Sequence, residues 1–324
     1  MRAVVIHEFG PPSVLVASEV EDLALAAGQV LIDVEVANIT FVETQLRAGK
    51  PPHPSMLPRL PVILGNGVGG LVLSTGAEVD PSLIGQRVVS SLRGTGGYAE
   101  RAVADSAGLV AIPLDLTTAD AVALLADGRT AMLLASETAI RPGETVLVEA
   151  AAGGVGSLLV QLASGAGAHV IGAAGGERKL AVARELGART LVNYLDPLWT
   201  LRLHEQVERV DVVFDGVGGA IGRAAFELLG HGGRFVPFGM ASGAFAPVSD
   251  GDAEARGVTL HRNLARTPDE LRAFVQAALN EAVAGRLRPL IGQTFPLEHA
   301  ADAHLAIEQR TTIGKTLLLT ASAV

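Results

Sequence analysis

Residues 149–156 read EAAAGGVG, set between the apolar run ETVLV and the stretch SLLVQLA. Ala151, Gly153 and Gly156 take the three small-residue places of a dinucleotide fingerprint, with alanine in the first. At a strand-to-helix turn such residues let backbone N–H groups approach a pyrophosphate at the positive end of the helix dipole. A tight turn with close helix packing would use the same residues, so the reading rests on context: a strand before, a helix after, and a second strand on schedule. The choice of dinucleotide is made about 20 residues on, at the end of the second strand, where an acid would hold an NAD ribose 2′-hydroxyl. The sequence there is VIGAAGGERK: residues 172–176 carry no acid, and Arg178 and Lys179 follow. Such an end suits a 2′-phosphate, and hence NADPH. The same charges would also suit the solvated first turn of a helix, above all Arg178.

These residues need a parallel sheet to hold them, and the chain supplies its pattern. The 324 residues are enough for two domains with cores that need no disulfide or metal. Up to about residue 120 the runs are short and β-rich (VLIDVEVANI, GLVLSTG, GQRVVSS, YAERAVA), separated by glycine and proline turns. Beyond it, apolar strands (ETVLVEA, AHVIGAA, TLVNY, VDVVFDG, GRFVPFG, VTLHRN) alternate with helical stretches, the pattern of a sheet covered on both faces. A helix is expected from Thr267 and Pro268, as N-cap and first-turn proline, to near Gly285. RPLIGQTFPL and GKTLLLT read as β again and are expected to return to the first domain. The fold class is therefore α/β, with a barrel-like β domain and a doubly wound parallel sheet.

Composition excludes other chemistries. The charge balance, 25 basic against 34 acidic residues or −9, is spread without a basic block, which argues against nucleic acid and anionic membrane as partners. Although 49% of residues are hydrophobic, no unbroken apolar run approaches a membrane span, and the start MRAVVIHEFG does not match a signal peptide. A cytoplasmic protein is expected. With no cysteine, thiolate zinc sites and a cysteine nucleophile are ruled out. None of the eight histidines sits in a ligand-like pair: His299 and His304 are five apart and miss the i, i+4 face of a helix. No metal is expected. Without a Lewis acid to stabilise an alkoxide, acceptors that are already electron-poor are favoured.

AAAGGVG, ELGA with NY after it, DGVGG, GGRFVPFG, the start MRAVVIHEFGPPSVL and the end IEQRTTIGKTLLL resemble the zinc-independent quinone oxidoreductases of the medium-chain dehydrogenase/reductase superfamily. The likeness spans nearly the whole chain. It implies a GroES-like β domain (residues 1–120 with 290–324) and a Rossmann domain (121–289), with NADPH in the cleft between them. It also implies a homodimer through the outer edge of the Rossmann sheet, here VTLHRN. By this resemblance Gly153, Gly154, Val155 and Gly156 fall on the pyrophosphate turn, and Lys179, Tyr194 and Arg310 surround the 2′-phosphate. Thr130 falls near the nicotinamide amide, and Phe238, Gly239 and Met240 touch the same ring. For Tyr194 the alternative is a half-buried aromatic, and for Arg310 an exposed charge at a helix end.

The chain departs from the family pattern where an acceptor should sit. Thr40 replaces a usual asparagine and Gln45 a usual tyrosine, at positions that face the acceptor in relatives. Both are neutral and could hold a carbonyl oxygen while hydride arrives, the proton coming from solvent. Gly67 stands where many members carry glutamate, and Asp127 and Arg129 beside Thr130 stand at commonly uncharged places. Charge there suits a polar acceptor better than a plain benzoquinone, although Arg129 is expected first to pair with Asp127. The segment HRNLARTPDEL is shorter than its family counterpart, which implies a more open pocket. Three functions follow: an NADPH-dependent reductase of quinones or other conjugated carbonyls, an enone or enoyl-thioester reductase, and a non-catalytic, crystallin-like NADPH-binding protein. A tyrosine proton donor near position 45 would be expected of the second, and Gln45 counts against it.

Overall fold

The structure is a computed structural model that describes residues 1–323. The chain opens with β1 (Arg2–Ile6), β2 (Val16–Glu19) and β3 (Gln29–Ile39), followed by helix α1 (Phe41–Arg47). Next come β4 (Val62–Ile63), β5 (Gly67–Thr75), β6 (Arg87–Ser91), β7 (Arg101–Asp105), β8 (Val110–Ala111) and α2 (Thr118–Thr138). Strand and helix then alternate through β9 (Thr145–Glu149), α3 (Gly154–Gly165), β10 (His169–Ala174), α4 (Glu177–Glu185), β11 (Thr190–Asn193), α5 (Trp199–His204), β12 (Val210–Asp215), α6 (Gly219–Glu227) and β13 (Leu229–Pro237). The remainder is α7 (Asp250–Arg256), β14 (Thr259–Leu260), α8 (Pro268–Val283), β15 (Ile291–Pro296), α9 (Ala300–Glu308) and β16 (Lys315–Leu319). No described helix is long and apolar enough to cross a membrane.

Two compact units result: residues 1–129 with 268–283 and 289–324, and residues 130–267 with 284–288. In the first, β15, β16, β3, β5, β6 and β8 form a sheet in that order, with β7 also paired to β3, while β2, β1 and β4 form a smaller one. The last strands thus return to the first unit, β16 pairing antiparallel with β3 from Thr316 opposite Ile39 to Leu319 opposite Val36. Alternation along β3 buries Val30, Ile32 and Val34, as a sheet with one face on a core requires. Helix α8 groups with this unit, whereas the sequence boundaries put it in the second. Ala278 packs so closely on Gly128 that a Cβ there would lie 2.9 Å from the Ala278 methyl.

In the second unit six strands run in the order β11-β10-β9-β12-β13-β14, and every neighbouring pair is parallel. In order of succession this is 3-2-1-4-5-6, the doubly wound nucleotide-binding arrangement. Central strands buried on both faces read as continuous apolar runs: Val146, Leu147, Val148, Val212, Val213 and Phe214 are fully buried. The order reverses between β9 and β12, so their C-terminal ends flank the crevice in which such sheets bind ligands.

Candidate active site

The fingerprint occupies the end of β9. Gly153 is the N-cap of α3, with no side chain capping this end; its N–H donates to Ala150 O at 2.7 Å, and its carbonyl accepts the N–H of Ser157 at 2.9 Å. Gly154, Val155 and Gly156 are therefore the first three helical residues, whose N–H groups have no acceptor within the helix. Gly156 is required by close approach: a Cβ would stand 2.2 Å from Ala150 O. The turn is a half-buried row of donors at a helix start, which fits a pyrophosphate.

Neighbouring strand ends supply the rest. After β10, Gly176 caps α4 and Lys179 lies half-buried in its first turn. The Asn193 side chain, at the end of β11, accepts from the N–H groups of Gly176 (3.3 Å) and Leu195 (3.1 Å) and so ties the two strand ends together. Tyr194 is half-buried beside them, its ring 3.4 Å from where a Cβ on Gly175 would be. After β13, the N–H groups of Phe238 (2.9 Å) and Gly239 (3.1 Å) donate to Asp215 O, which draws Phe238, Gly239 and Met240 to the end of β12. One edge of this sheet therefore gathers the fingerprint, Lys179, Tyr194 and residues 238–240. Thr130 lies half-buried on α2. Arg310 belongs to the other unit, exposed just beyond α9 with a left-handed backbone (φ 56°).

The sequence reading missed two acids beneath this edge. Glu149 ends β9 and Asp215 ends β12, and both are fully buried. Asp215 Oδ1 accepts the N–H groups of Val217 (3.1 Å) and Gly218 (2.6 Å), and Glu149 Oε2 accepts that of Val217 (3.2 Å). Burial raises both carboxyls. Glu149 is raised further, by the charge of Asp215 and by its hydrogen bond to it, whereas the same bond and the two N–H groups act to lower Asp215. Two adjacent buried carboxyls oppose each other's ionisation, and of the two Glu149 is pushed up the more strongly.

A second set of polar groups is buried in the β unit. Thr40 N-caps α1, and Glu43 at the third helical position reaches back to accept the Thr40 N–H, while its other oxygen accepts the Asn66 N–H at 2.8 Å. Burial raises the Glu43 carboxyl, and these N–H groups and the charge of Lys315 oppose that shift. Thr-x-x-Glu is the sequence signal that could have revealed both α1 and the role of Glu43. Gln45 Oε1 and Asn38 Oδ1 are buried without a hydrogen-bond partner among the described residues. A buried acceptor left so costs about 1–3 kcal/mol.

The expected Arg129–Asp127 pair does not form. Lys315, 3% exposed on β16, reaches Asp127 Oδ1 at 3.0 Å and takes the carboxylate. Breaking a buried pair of this kind from one side costs about 3–5 kcal/mol. Zinc finds no fitting donor set: cysteine is absent, and among the described residues no group of three His, Asp or Glu could hold a metal. His304 is core, its Nε2 3.0 Å from Tyr98 Oη, and burial lowers its pKa to about 3.

Family profiles match residues 26–114 as "Alcohol dehydrogenase GroES-like domain" and 154–280 as "Zinc-binding dehydrogenase". A GroES-like β unit and a Rossmann unit in one chain define the medium-chain dehydrogenase/reductase class. The 2-haloacrylate reductase of a Burkholderia species is 31% identical, covering 98% of this chain and 99% of its own. Quinone oxidoreductase 1 of Escherichia coli K12 is 30% identical, covering 97% and 98%. The crystal structure of Escherichia coli quinone oxidoreductase complexed with NADPH superposes with a TM-score of 0.90 at 30% identity, over 98% of this chain and 100% of that one. The chain belongs to the quinone oxidoreductase-like family of that superfamily.

Proposed function

We propose that the protein is an NADPH-dependent oxidoreductase that passes hydride to a quinone or another conjugated carbonyl acceptor, without metal. The observation that carries the reading is the uncapped start of α3, where Gly156 admits no side chain, beside a β10 end with no acid and with Lys179 in the next turn. The NADPH bound in the Escherichia coli relative supports it. When bound, the reduced nicotinamide supplies the hydride. The N–H groups of Gly154, Val155 and Gly156 hold the pyrophosphate, with Gly153 ending the turn, and Lys179, Tyr194 and Arg310 hold the 2′-phosphate. Thr130 and Phe238, Gly239 and Met240 orient the nicotinamide. Thr40 and Gln45 hold the acceptor's carbonyl oxygen through neutral donors, and solvent provides the proton.

The lack of cysteine supports metal-free turnover. We place the protein in the cytoplasm as a homodimer joined along β14, the edge strand of the six-stranded sheet. Reduction of a conjugated acid or thioester is the second reading, favoured by the relative whose name specifies an acrylate. A panel of 1,4-naphthoquinone, a simple enone and an enoyl thioester, with NADPH oxidation followed by absorbance in chelator-treated buffer, tests the reading. Turnover of the quinone or the enone is expected. Tight NADPH binding with no turnover on any acceptor would favour the non-catalytic alternative.

A further inference from the structure

The face of α2 that carries Leu125 and Arg129, four residues apart, lies over the ends of β5 and β6. Leu125 covers Gly67 so closely that a Cβ there would lie 2.9 Å from its Cδ2 and 2.6 Å from Asn38 Nδ2. Gly67 is paired with Ser91 across the β5–β6 ladder, and Ser91 Oγ accepts a long hydrogen bond, 3.4 Å, from Arg129 Nη1. No other hydrogen bond or ion pair reaches this guanidinium among the described residues. Asp127, two residues before it, is committed to Lys315. Gly67 itself has no side chain to offer the guanidinium. Arg129 is half-buried, and burial disfavours its charge while Asp127 only partly compensates. An arginine kept charged in such a place calls for an anion, and the planar fork of its Nε and Nη2 matches a carboxylate in two parallel bonds.

We infer that Arg129 reads a carboxylate on the acceptor, so that the preferred acceptors are conjugated carbonyl compounds that carry an acid group. The inference rests on the reductase reading above and adds a specificity-determining residue to it. The acceptor's β carbon takes hydride, its α carbon takes a proton from water, the carbon–carbon double bond becomes single, and NADPH becomes NADP+. The carboxylate is held and not consumed.

The test compares trans-4-oxopent-2-enoate with its methyl ester, two enones with the same reducible bond that differ in charge, and takes 1,4-naphthoquinone as a further acceptor. The expected result is a kcat/KM at least ten-fold higher for the acid than for the ester. In Arg129→Gln the acid-to-ester ratio should fall ten- to a hundred-fold, and Arg129→Lys, which keeps charge but not the fork, should recover part of it. Because the readout is a ratio within each variant, partial loss of folded protein does not affect it. If the ester and naphthoquinone are reduced but the acid is not preferred, or if Arg129→Gln keeps the parent's ratio, this inference is overturned and the reductase reading stands. If none of the three oxidises NADPH, both are overturned.

Discussion

The two polar regions of this molecule are built in opposite ways. At the edge of the six-stranded sheet the working groups are backbone N–H donors at a helix start, and glycines keep side chains out of the way. In the β unit the polar groups are side chains buried around α1 and the end of β5: Asn38, Glu43, Gln45, and the Asp127–Lys315 pair with Arg129 next to it. A backbone cradle takes any ligand with a pyrophosphate, so it can be shared across a family. Side-chain constellations can be changed one residue at a time. By the resemblance read from the sequence, the first region follows the family pattern, and Thr40, Gln45 and Gly67 in the second depart from it.

The largest expected effect comes from filling the cradle. Gly156→Val puts a branched side chain where even a Cβ would meet Ala150 O at 2.2 Å, so α3 must shift from the sheet. NADPH affinity should fall by about a hundred-fold or more, equivalent to at least about 2.7 kcal/mol, while circular dichroism shows the β content kept. Unchanged affinity would remove the distinction between the two regions.

The complementary change is Thr40→Val with Gln45→Leu. If both side chains contact the acceptor, kcat/KM should drop roughly ten- to a thousand-fold, from contacts of about 1–3 kcal/mol each. NADPH affinity should barely move. The Thr40 N–H that Glu43 accepts survives the change, so a fall in stability without any kinetic effect would mean that Thr40 serves only as the helix cap.

Lys179→Ala should act on the cofactor side alone. Loss of one charge-assisted phosphate contact, about 1.5–3 kcal/mol, should narrow the preference for NADPH over NADH by roughly ten- to a hundred-fold, read by titrating both. Equal affinities in the parent protein would exclude the 2′-phosphate role.

The acid pair beneath the cradle affects stability and not ligand binding. The folded-state pKa of Glu149 lies above its unfolded value, so the folded protein keeps the proton to higher pH. Stability is then fully present below the unfolded pKa and declines as pH rises toward the folded one, by about 1.4 kcal/mol per pH unit within that window. Glu149→Gln keeps a donor toward Asp215 and does not titrate. Its urea midpoint should change less between pH 6 and pH 8 than the parent's, and an identical pH dependence would mean that Glu149 is ionised throughout.

The sequence makes the sheet edge legible and the β-unit cluster mostly illegible, for physical reasons. Strand and helix repeat with their own periods from ETVLVEA onward, and the fingerprint lies within eight consecutive residues. Helix α2 shows no stripe because its apolar residues lie all round it, as in a buried helix. The Glu149–Asp215 pair depends on β9 lying beside β12, which only the strand order reveals. Arg129 loses its expected partner to Lys315, 188 residues from Asp127 in sequence and brought there by the return of β16 to the first unit. Local spacing foresees a contact between neighbours in the chain but cannot foresee a competitor from its far end.

The most direct test of hydride transfer without metal is to reduce a simple conjugated enone with NADPH deuterated at both C4 positions, in water treated to remove zinc. The account predicts turnover with one deuterium on the β carbon of the product and a solvent proton on the α carbon. Product without deuterium at that carbon, or turnover that appears only when zinc is added, would contradict it.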